Sequence, residues 1–482
     1  MRIAILSPNL SRDPSIVDIG VTYLATWLDQ RTAHDVRIVD FTYHAGDWRQ
    51  HLARQIEAFK PDIVGISSVS MYMQYIRPML REIKARWGLP TILGGYHASL
   101  QPEESIAEPD VDAICIGDGE YALTEYLDAL QAGRSPRGIA GIWFKEGGSV
   151  VRNELRELIQ DLESLPLPDY DLWEDIDRFL FYNGVIYVIG NRGCPYSRTY
   201  CSEEPLRERL PGRYLRTRDP RAYAREIQAH WEKYRRRGMR VAHTFDPAFT
   251  VNRPWMMDFC DEYTKIGLAS ELPFSAFSRA DQLDEEKVAA LAAANLKIIR
   301  IGIEAGNERI RREVYHKPIS DAQFREVFAL LHRYGIAATG YNILGGPGES
   351  MATLRDTFRF ARELEVDRPI FFTYRPLPTT RAAAMVEELG GHVDHAGWEG
   401  IDSLHERSNV YTKDLSPRQI ELFRYQCLAY FTSKRVVRML AEQRGAFLTN
   451  LARYAWRARR DGLSLQYTVG YFMVSGGDNI TH

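Results

Sequence analysis

The 482-residue chain carries 61 Lys and Arg against 64 Asp and Glu, with 45% hydrophobic residues, five cysteines and a net charge of -3. That length predicts about three domains with real cores, and the balanced charge gives no global reason to expect a nucleic-acid or membrane partner. Five scattered cysteines exclude a disulfide scaffold and fit a reducing compartment. No apolar run nears the roughly 18 residues of a spanning helix, and the opening MRIAILSPN reads as a strand rather than a cleavable signal. The expectation is a soluble cytoplasmic protein.

From residue 1 to about 140, β-branched runs (RIAILSP, VRIVDF, DIVGISSV, PTILGG, DAICIGD) alternate with amphipathic stretches such as IRPMLREIKARWG. Continuous apolar strands alternating with helices predict an α/β domain with a doubly wound parallel sheet, which binds ligands outside the carboxyl ends of its strands. The residues there are small or polar: Ser67, Ser68 and Ser70, then Gly94 and Gly95, then Gly117, Gly119 and Glu120. None of them forms a G-x-G-x-x-G fingerprint, so an ordinary dinucleotide site is not expected.

Residues 141–185, ending in the acidic, proline-containing LIQDLESLPLPDYDLWED, read as a linker. From 186 to 385 a second series of six strands (VIYVIGN, RVAHTFD, LPFSAFS, LKIIRIGI, IAATGYNILG, RPIFFTY) alternates with helix-like stretches. This predicts a partial or complete parallel barrel with its site at the strands' C-terminal ends. Residues 386–482, including SPRQIELFRYQCLAYFTSKRVVRMLAEQ, are expected to form a helical C-terminal domain.

After the first strand of the second series stands Asn191-Arg192-Gly193-Cys194-Pro195-Tyr196-Ser197-Arg198-Thr199-Tyr200-Cys201. This resembles the Cys-x-x-x-Cys-x-x-Cys signature of radical S-adenosylmethionine enzymes, in which three thiolates hold a four-iron four-sulfur cluster whose fourth iron chelates S-adenosylmethionine. Cys194 and Cys201 keep the outer spacing and Tyr200 the aromatic before the last cysteine, but Arg198 stands at the middle position. Gly302-Ile303-Glu304-Ala305-Gly306 is similar to the strand end whose glutamate lies near the cofactor ribose. The run Gly340-Tyr341-Asn342-Ile343-Leu344-Gly345-Gly346-Pro347-Gly348-Glu349 resembles the fifth-strand segment that backs the adenine. Phe245-Asp246-Pro247-Ala248-Phe249-Thr250, Phe277-Ser278-Arg279-Ala280-Asp281 and Leu377-Pro378-Thr379-Thr380 resemble further motifs in family order. In the first region, Gly94-Gly95-Tyr96-His97-Ala98-Ser99 and Gly117-Asp118-Gly119-Glu120 are similar to the cobalamin-binding module fused ahead of many such enzymes.

The resemblance implies a cobalamin-binding radical S-adenosylmethionine protein over about residues 1–385. It implies cofactor contacts from Ser67, Ser68, Ser70, Met71, Tyr72, Gly94, Gly95, Tyr96, His97, Gly117, Gly119 and Glu120 for cobalamin, and from Tyr200, Arg279, Glu304, Asn342, Gly345 and Gly346 for S-adenosylmethionine. Met71, Tyr72 and Met73 either cover the corrin or pack as an ordinary helix start. His44 lacks the Asp-x-His-x-x-Gly spacing of a cobalt ligand.

Arg198 alters the expected chemistry, because a guanidinium has no lone pair for iron and carries the wrong charge. Cys194 and Cys201 then read as remnants of an incomplete motif, the cluster is expected to be absent, and no other metal site is expected. Arg198 is the candidate catalytic residue, its planar fork suited to a carboxylate. The leading reading is a cobalamin- and S-adenosylmethionine-using enzyme acting by polar chemistry: methyl transfer, or cyclisation or rearrangement of a small molecule, with secondary metabolism the setting the resemblance implies. An external reductant such as a flavodoxin would serve it, with no nucleic acid and no membrane as partner. A radical enzyme with an unusual third cluster ligand, and a non-catalytic cobalamin carrier or sensor, stay open beside it.

Residues 207–240 hold twelve Lys or Arg against four Asp or Glu and read as a solvated helix face. Phe371, Phe372, Tyr374 and Tyr341 line the barrel mouth if strand parity suits, and the core otherwise.

Overall fold

A computed structural model describes residues 1–11, 14, 17–247, 249–394, 407–443 and 445–463. Ala248 of the second-strand motif, and residues 395–406, 444 and 464–482 of the region expected to be helical, lie outside the described residues. The chain forms two compact units. The first takes in Met1–Phe179, Pro205–Tyr214 and, from Arg457, the end of the last described helix; the second takes in Leu180–Glu204 and Leu215–Trp456.

The first unit is built on β1 (Arg2–Ser7), β2 (Asp35–Asp40), β3 (Ile63–Ser67), β4 (Thr91–Gly94), β5 (Ala113–Cys115), β6 (Ile142–Glu146) and β7 (Ser149–Arg152), in the order β2-β1-β3-β4-β5-β6-β7. The first five are parallel, and their apolar residues are buried on both faces, as the unbroken hydrophobic runs require. The strands β6 and β7 add an antiparallel hairpin to the edge. Its two-residue turn is Gly147-Gly148, both at positive φ, the conformation a tight hairpin turn demands and glycine adopts without strain. The segment expected as a linker therefore opens with sheet, and its Gly-Gly pair between apolar runs is the signal for it.

In the second unit, β8 (Val185–Val188) leads into the two-residue β9 (Asn191–Arg192), which pairs antiparallel with β10 (Arg216–Thr217). The main sheet continues with β11 (Val241–Thr244), β12 (Phe274–Ser278), β13 (Leu296–Glu304), β14 (Ala337–Leu344) and β15 (Arg368–Thr373), in the order β15-β14-β13-β12-β11-β8. All pairs are parallel, and β8 and β15 are its two edges, so the expected barrel is partial. Toward the carboxyl ends of the strands alternate residues separate: Ala276, Ile299, Ile301, Ala338 and Phe371 are buried, whereas Phe277, Arg300, Gly302, Tyr341, Ile370 and Phe372 keep partial exposure.

Capping explains where the flanking helices begin. Ser320 and Ser350 each open a helix with a reciprocal capping box, and Asp219 caps a helix whose first residue is Pro220. Among the described residues of the C-terminal region, the short antiparallel pair His392–Val393 and Val410–Tyr411 precedes two helices, Pro417–Gln443 and Gly445–Arg460. The first of these lies along β15, where the Arg424 Nε donates to the Phe371 carbonyl at 2.9 Å. Among the described residues no helix is long and apolar enough to cross a membrane.

Candidate active site

In the first unit the small and polar residues gather at the carboxyl ends of the parallel strands. Ser68 is fully buried, its hydroxyl donating to the Gly94 carbonyl at 2.6 Å, while the His97 amide donates to the Ser68 carbonyl at 3.0 Å. Gly95 sits at φ 89°, and a Cβ there would stand 2.8 Å from the Ser68 backbone, so only glycine permits this close approach at the ends of the parallel strands β3 and β4. Ser99 donates to the Gly95 carbonyl at 2.9 Å and accepts the Gly117 amide at 3.0 Å, joining the ends of β4 and β5. Ser67 bonds Asp18, the cap of the helix Ile19–Arg31.

His97 is buried, with its Nδ1 3.0 Å from the Ser70 hydroxyl and its Nε2 enclosed without a hydrogen-bond partner among the described residues. Burial lowers its pKa, which keeps the ring neutral. Met71 and Tyr72 lie partly exposed in the short turn after β3, Met73 is buried at the start of the next helix, and Tyr96 is exposed. Gly119 begins a helix with the buried Glu120 behind it. His44 stacks on His51, with ring centroids 3.7 Å apart, and its Nδ1 lies 3.4 Å from Asp47.

In the second unit, Asp246 organises the loop that carries Cys194. Its fully buried carboxylate accepts the Gly190 amide at 2.7 Å, the Asn191 amide and the Tyr223 hydroxyl at 2.9 Å. Burial pushes its carboxyl up to about 7 against the pull of those donors. Beyond this anchor Cys194 is fully buried and Cys201 partly so. The Arg198 Nη2 donates to the Cys194 Sγ at 3.3 Å, and its Nε is buried without a hydrogen-bond partner among the described residues. Burial opposes the charge of Arg198, but Tyr200, Cys201, Cys194 and Glu304 together hold its pKa above the ordinary arginine range.

Glu304 is the hub of a buried polar cluster. The Tyr200 hydroxyl donates to its Oε1 at 2.7 Å and the Lys317 Nζ donates to the same oxygen at 2.9 Å. Glu304 has φ 65°, strained for a residue with a side chain, and stands at a register shift between β13 and β14. Gly302 leaves the space its carboxylate and the Lys317 amine occupy. Burial opposes the charge of Glu304, yet Lys317, Tyr200 and Arg198 hold its carboxyl below the usual range. Burial, aided by Arg198 and Arg279, brings Lys317 down to about 8 although Glu304 pulls it up.

Lys317 is the residue that sequence reasoning missed, since its place follows from the fold of residues 305–319. Arg311, fully buried in a π-helical turn, donates to the Ala305 carbonyl at 2.6 Å and the Ile319 carbonyl at 2.8 Å, closing the segment that returns Lys317 to Glu304. No spacing in the chain announces that return.

Arg279 forms a bidentate pair with Asp281, at 2.9 and 2.6 Å, and lies over the Tyr196 ring at 3.9 Å. Asn342 is fully buried and donates to the Gly340 and Ile370 carbonyls, leaving its Oδ1 without a hydrogen-bond partner among the described residues. Gly345 and Gly346 donate their amides to Glu349, at 2.7 and 2.9 Å, and a Cβ on either would collide with Ile420 or with the Tyr315 hydroxyl. Strand parity divides the predicted mouth aromatics: Tyr341 and Phe372 line the partly exposed inner face, whereas Phe371 and Tyr374 are buried. A surface hollow lined by Glu308, Arg309, Arg312, Glu313, His316 and Pro318 contains none of the predicted site residues.

Comparison with known proteins finds a matching domain in each unit. Residues 9–127 match the B12 binding domain family and residues 188–361 the Radical SAM superfamily. An uncharacterized methyltransferase of Pyrococcus horikoshii is 30% identical over 369 residues, covering 75% of this chain and 77% of that protein. The anaerobic magnesium-protoporphyrin IX monomethyl ester cyclase of Cereibacter sphaeroides is 26% identical over 410 residues, covering 82% of this chain and 64% of that one. The solved radical S-adenosylmethionine methyltransferase TsrM of Kitasatospora setae superposes with a TM-score of 0.72 at 18% identity, covering 88% of each chain, a likeness of fold. The two matched domains, in this order and over this length, make the chain a member of the cobalamin-dependent radical S-adenosylmethionine family of enzymes.

Proposed function

We propose that this chain uses S-adenosylmethionine and cobalamin for polar chemistry on a small molecule, methyl transfer first and cyclisation or rearrangement second, with Arg198 standing where the family motif places its middle cysteine. The observation that carries this reading is the seating of the Arg198 guanidinium on the Cys194 sulfur, inside the motif loop. A four-iron cluster needs a third thiolate or imidazole at that place, and a guanidinium offers no lone pair and repels iron. Cys194, Arg198 and Cys201 therefore do not fit the group. Among the described residues no group of three His, Cys, Asp or Glu side chains is arranged to hold a metal ion.

The residues that do fit S-adenosylmethionine are those around Glu304. Arg198 brings a half-buried, permanently charged fork with an unmatched Nε donor, which suits the methionine carboxylate through paired hydrogen bonds. Glu304, ionised and fixed by Tyr200 and Lys317, offers its second oxygen to a ribose hydroxyl. In the first unit the unpaired Nε2 of His97 and the glycine backbones at Gly94, Gly95 and Gly117 fit an amide-fringed corrin. Cobalamin, when bound, supplies a cobalt centre able to accept and release a methyl group. With no cluster in the chain, electrons for that centre would come from a separate donor such as a flavodoxin.

Titrating S-adenosylmethionine into the native chain and into Arg198→Ala tests this reading. A loss of about tenfold or more in affinity is expected when the charged fork is removed, with cobalamin binding retained. Unchanged affinity would remove Arg198 from the proposed site.

A further inference from the structure

The inner face of the second sheet carries a row of aromatic rings interrupted at one strand. Tyr341 of β14 lies nearly parallel to Phe277 of β12, with centroids 6.1 Å apart and planes 25° apart, and to Phe372 of β15, at 5.6 Å and 18°. Tyr187 and the exposed Phe245 extend the row at the other edge, at 5.9 Å from each other and with Phe245 5.6 Å from Phe277. Between Phe277 and Tyr341 runs β13, which contributes no aromatic ring to this face. It presents Arg300, in register with Phe277, and then Gly302, in register with Tyr341.

Arg300 is partly exposed, and its partners are all neutral. Its Nη1 lies 3.1 Å from the His243 Nδ1, its charge acts on the neighbouring Tyr341 hydroxyl, and its guanidinium is 5.8 Å from the Phe277 centroid. His243 is buried against Ser275 and held well below its ordinary pKa by burial and by Arg300, so it carries no charge. Among the described residues no carboxylate pairs with Arg300. A cation on an open aromatic face with only neutral neighbours lacks its counter-charge, and the rings beside it favour a flat partner by offset stacking.

We infer that this face receives a planar aromatic substrate bearing a carboxylate, the acid held by Arg300 and the ring laid among Phe277, Tyr341 and Phe372. The inference gives a substrate class to the site proposed above and rests on that reading. From Arg300 to Gly302 the strand rises about 7 Å, so a ring anchored at Arg300 extends across the glycine toward the Glu304 carboxylate, which packs against Gly302. The substrate's far edge, rather than its acid, is thereby turned to the end of the strand where S-adenosylmethionine is proposed to bind.

The test is equilibrium binding of three probes to the full chain loaded with cobalamin: naphthalene-2-carboxylate, naphthalene-2-carboxamide and cyclohexanecarboxylate. The planar acid is expected to bind about tenfold or more tightly than the neutral amide and the non-planar acid. Arg300→Met should erase the preference for acid over amide, and Arg300→Lys should restore part of it. If Arg300→Met fails to fold by circular dichroism, the ratios on the native chain decide. Equal affinity of acid and amide, or no binding of the planar acid, would overturn the inference. Loss of S-adenosylmethionine binding by the native chain, measured in parallel, would instead count against the function proposed above.

Discussion

The Arg198 guanidinium and the Cys194 thiol are hydrogen-bonded at 3.3 Å within a loop whose spacing otherwise belongs to three cluster thiolates. The pairing is supported from both sides: Asp246 fixes the backbone leading into the loop, and the field of Glu304 and Tyr200 keeps Arg198 charged. On the proposed reading, one residue type at one position separates an iron site from an anion site.

Restoring the missing thiolate should reverse that separation. Arg198→Cys completes Cys-x-x-x-Cys-x-x-Cys, and after anaerobic treatment with iron and sulfide it is expected to retain about four irons per chain, with the visible absorbance of a cluster. Failure of the variant to take up iron would mean that the loop lacks the shape of a cluster site for reasons beyond residue 198.

Lys317 and Glu304 form a buried ion pair, and breaking it from one side should be costly. Lys317→Met leaves the Glu304 carboxylate with only the Tyr200 hydroxyl as a hydrogen-bond donor among the described residues, a loss of roughly 3 kcal/mol or more, read as a lowered urea midpoint. The double variant with Glu304→Gln should recover part of that loss, because the uncompensated charge is gone. Equal midpoints for the native chain and Lys317→Met would show that the pair contributes nothing.

Glu349 gives a pH test with a definite sign. Burial raises its carboxyl from 4.5 to about 8 against the pull of the Gly346 and Gly345 amides. Between those values the folded chain holds a proton that the unfolded chain has released, so this group makes stability fall as pH rises, by about 1.4 kcal/mol per pH unit. Glu349→Gln keeps an acceptor for the two amides and cannot titrate. Calorimetric melting between pH 5 and 8 should therefore decline less steeply in the variant, and parallel curves would contradict the assignment.

Gly95 should tolerate no side chain. Gly95→Ala places a methyl group at 2.8 Å from the Ser68 backbone in a conformation that disfavours any β-carbon. The expected result is a destabilised first unit, by about 2 kcal/mol or more, with cobalamin retention lost after gel filtration. Unimpaired retention would place the corrin away from the ends of β3 and β4.

Much of this architecture was legible before any coordinates. Unbroken apolar runs such as DIVGISSV and LKIIRIGI forecast parallel strands, and each of the six runs of the second region contains one. The hairpin at Gly147-Gly148 escaped because the acidic, proline-containing stretch after it set the reading of the whole segment. In the site, Glu304 and Tyr200 could be named from local motifs. Lys317 could not, because its approach to Glu304 depends on a π-helical turn and on Arg311, neither of which leaves a periodic trace. The alternation that puts Phe372 inward and Phe371 into the core is the period of a strand, but which parity faces the opening is decided by the curvature of the sheet.

Iron analysis of the native chain is the most direct test of the proposed chemistry. After anaerobic reconstitution with iron and sulfide and removal of unbound metal, the native protein is expected to retain well under about one iron per chain while still binding S-adenosylmethionine. Retention of about four irons per chain, with an equal amount of sulfide, would show that Arg198 does not exclude the cluster and would return the protein to the radical chemistry of its family.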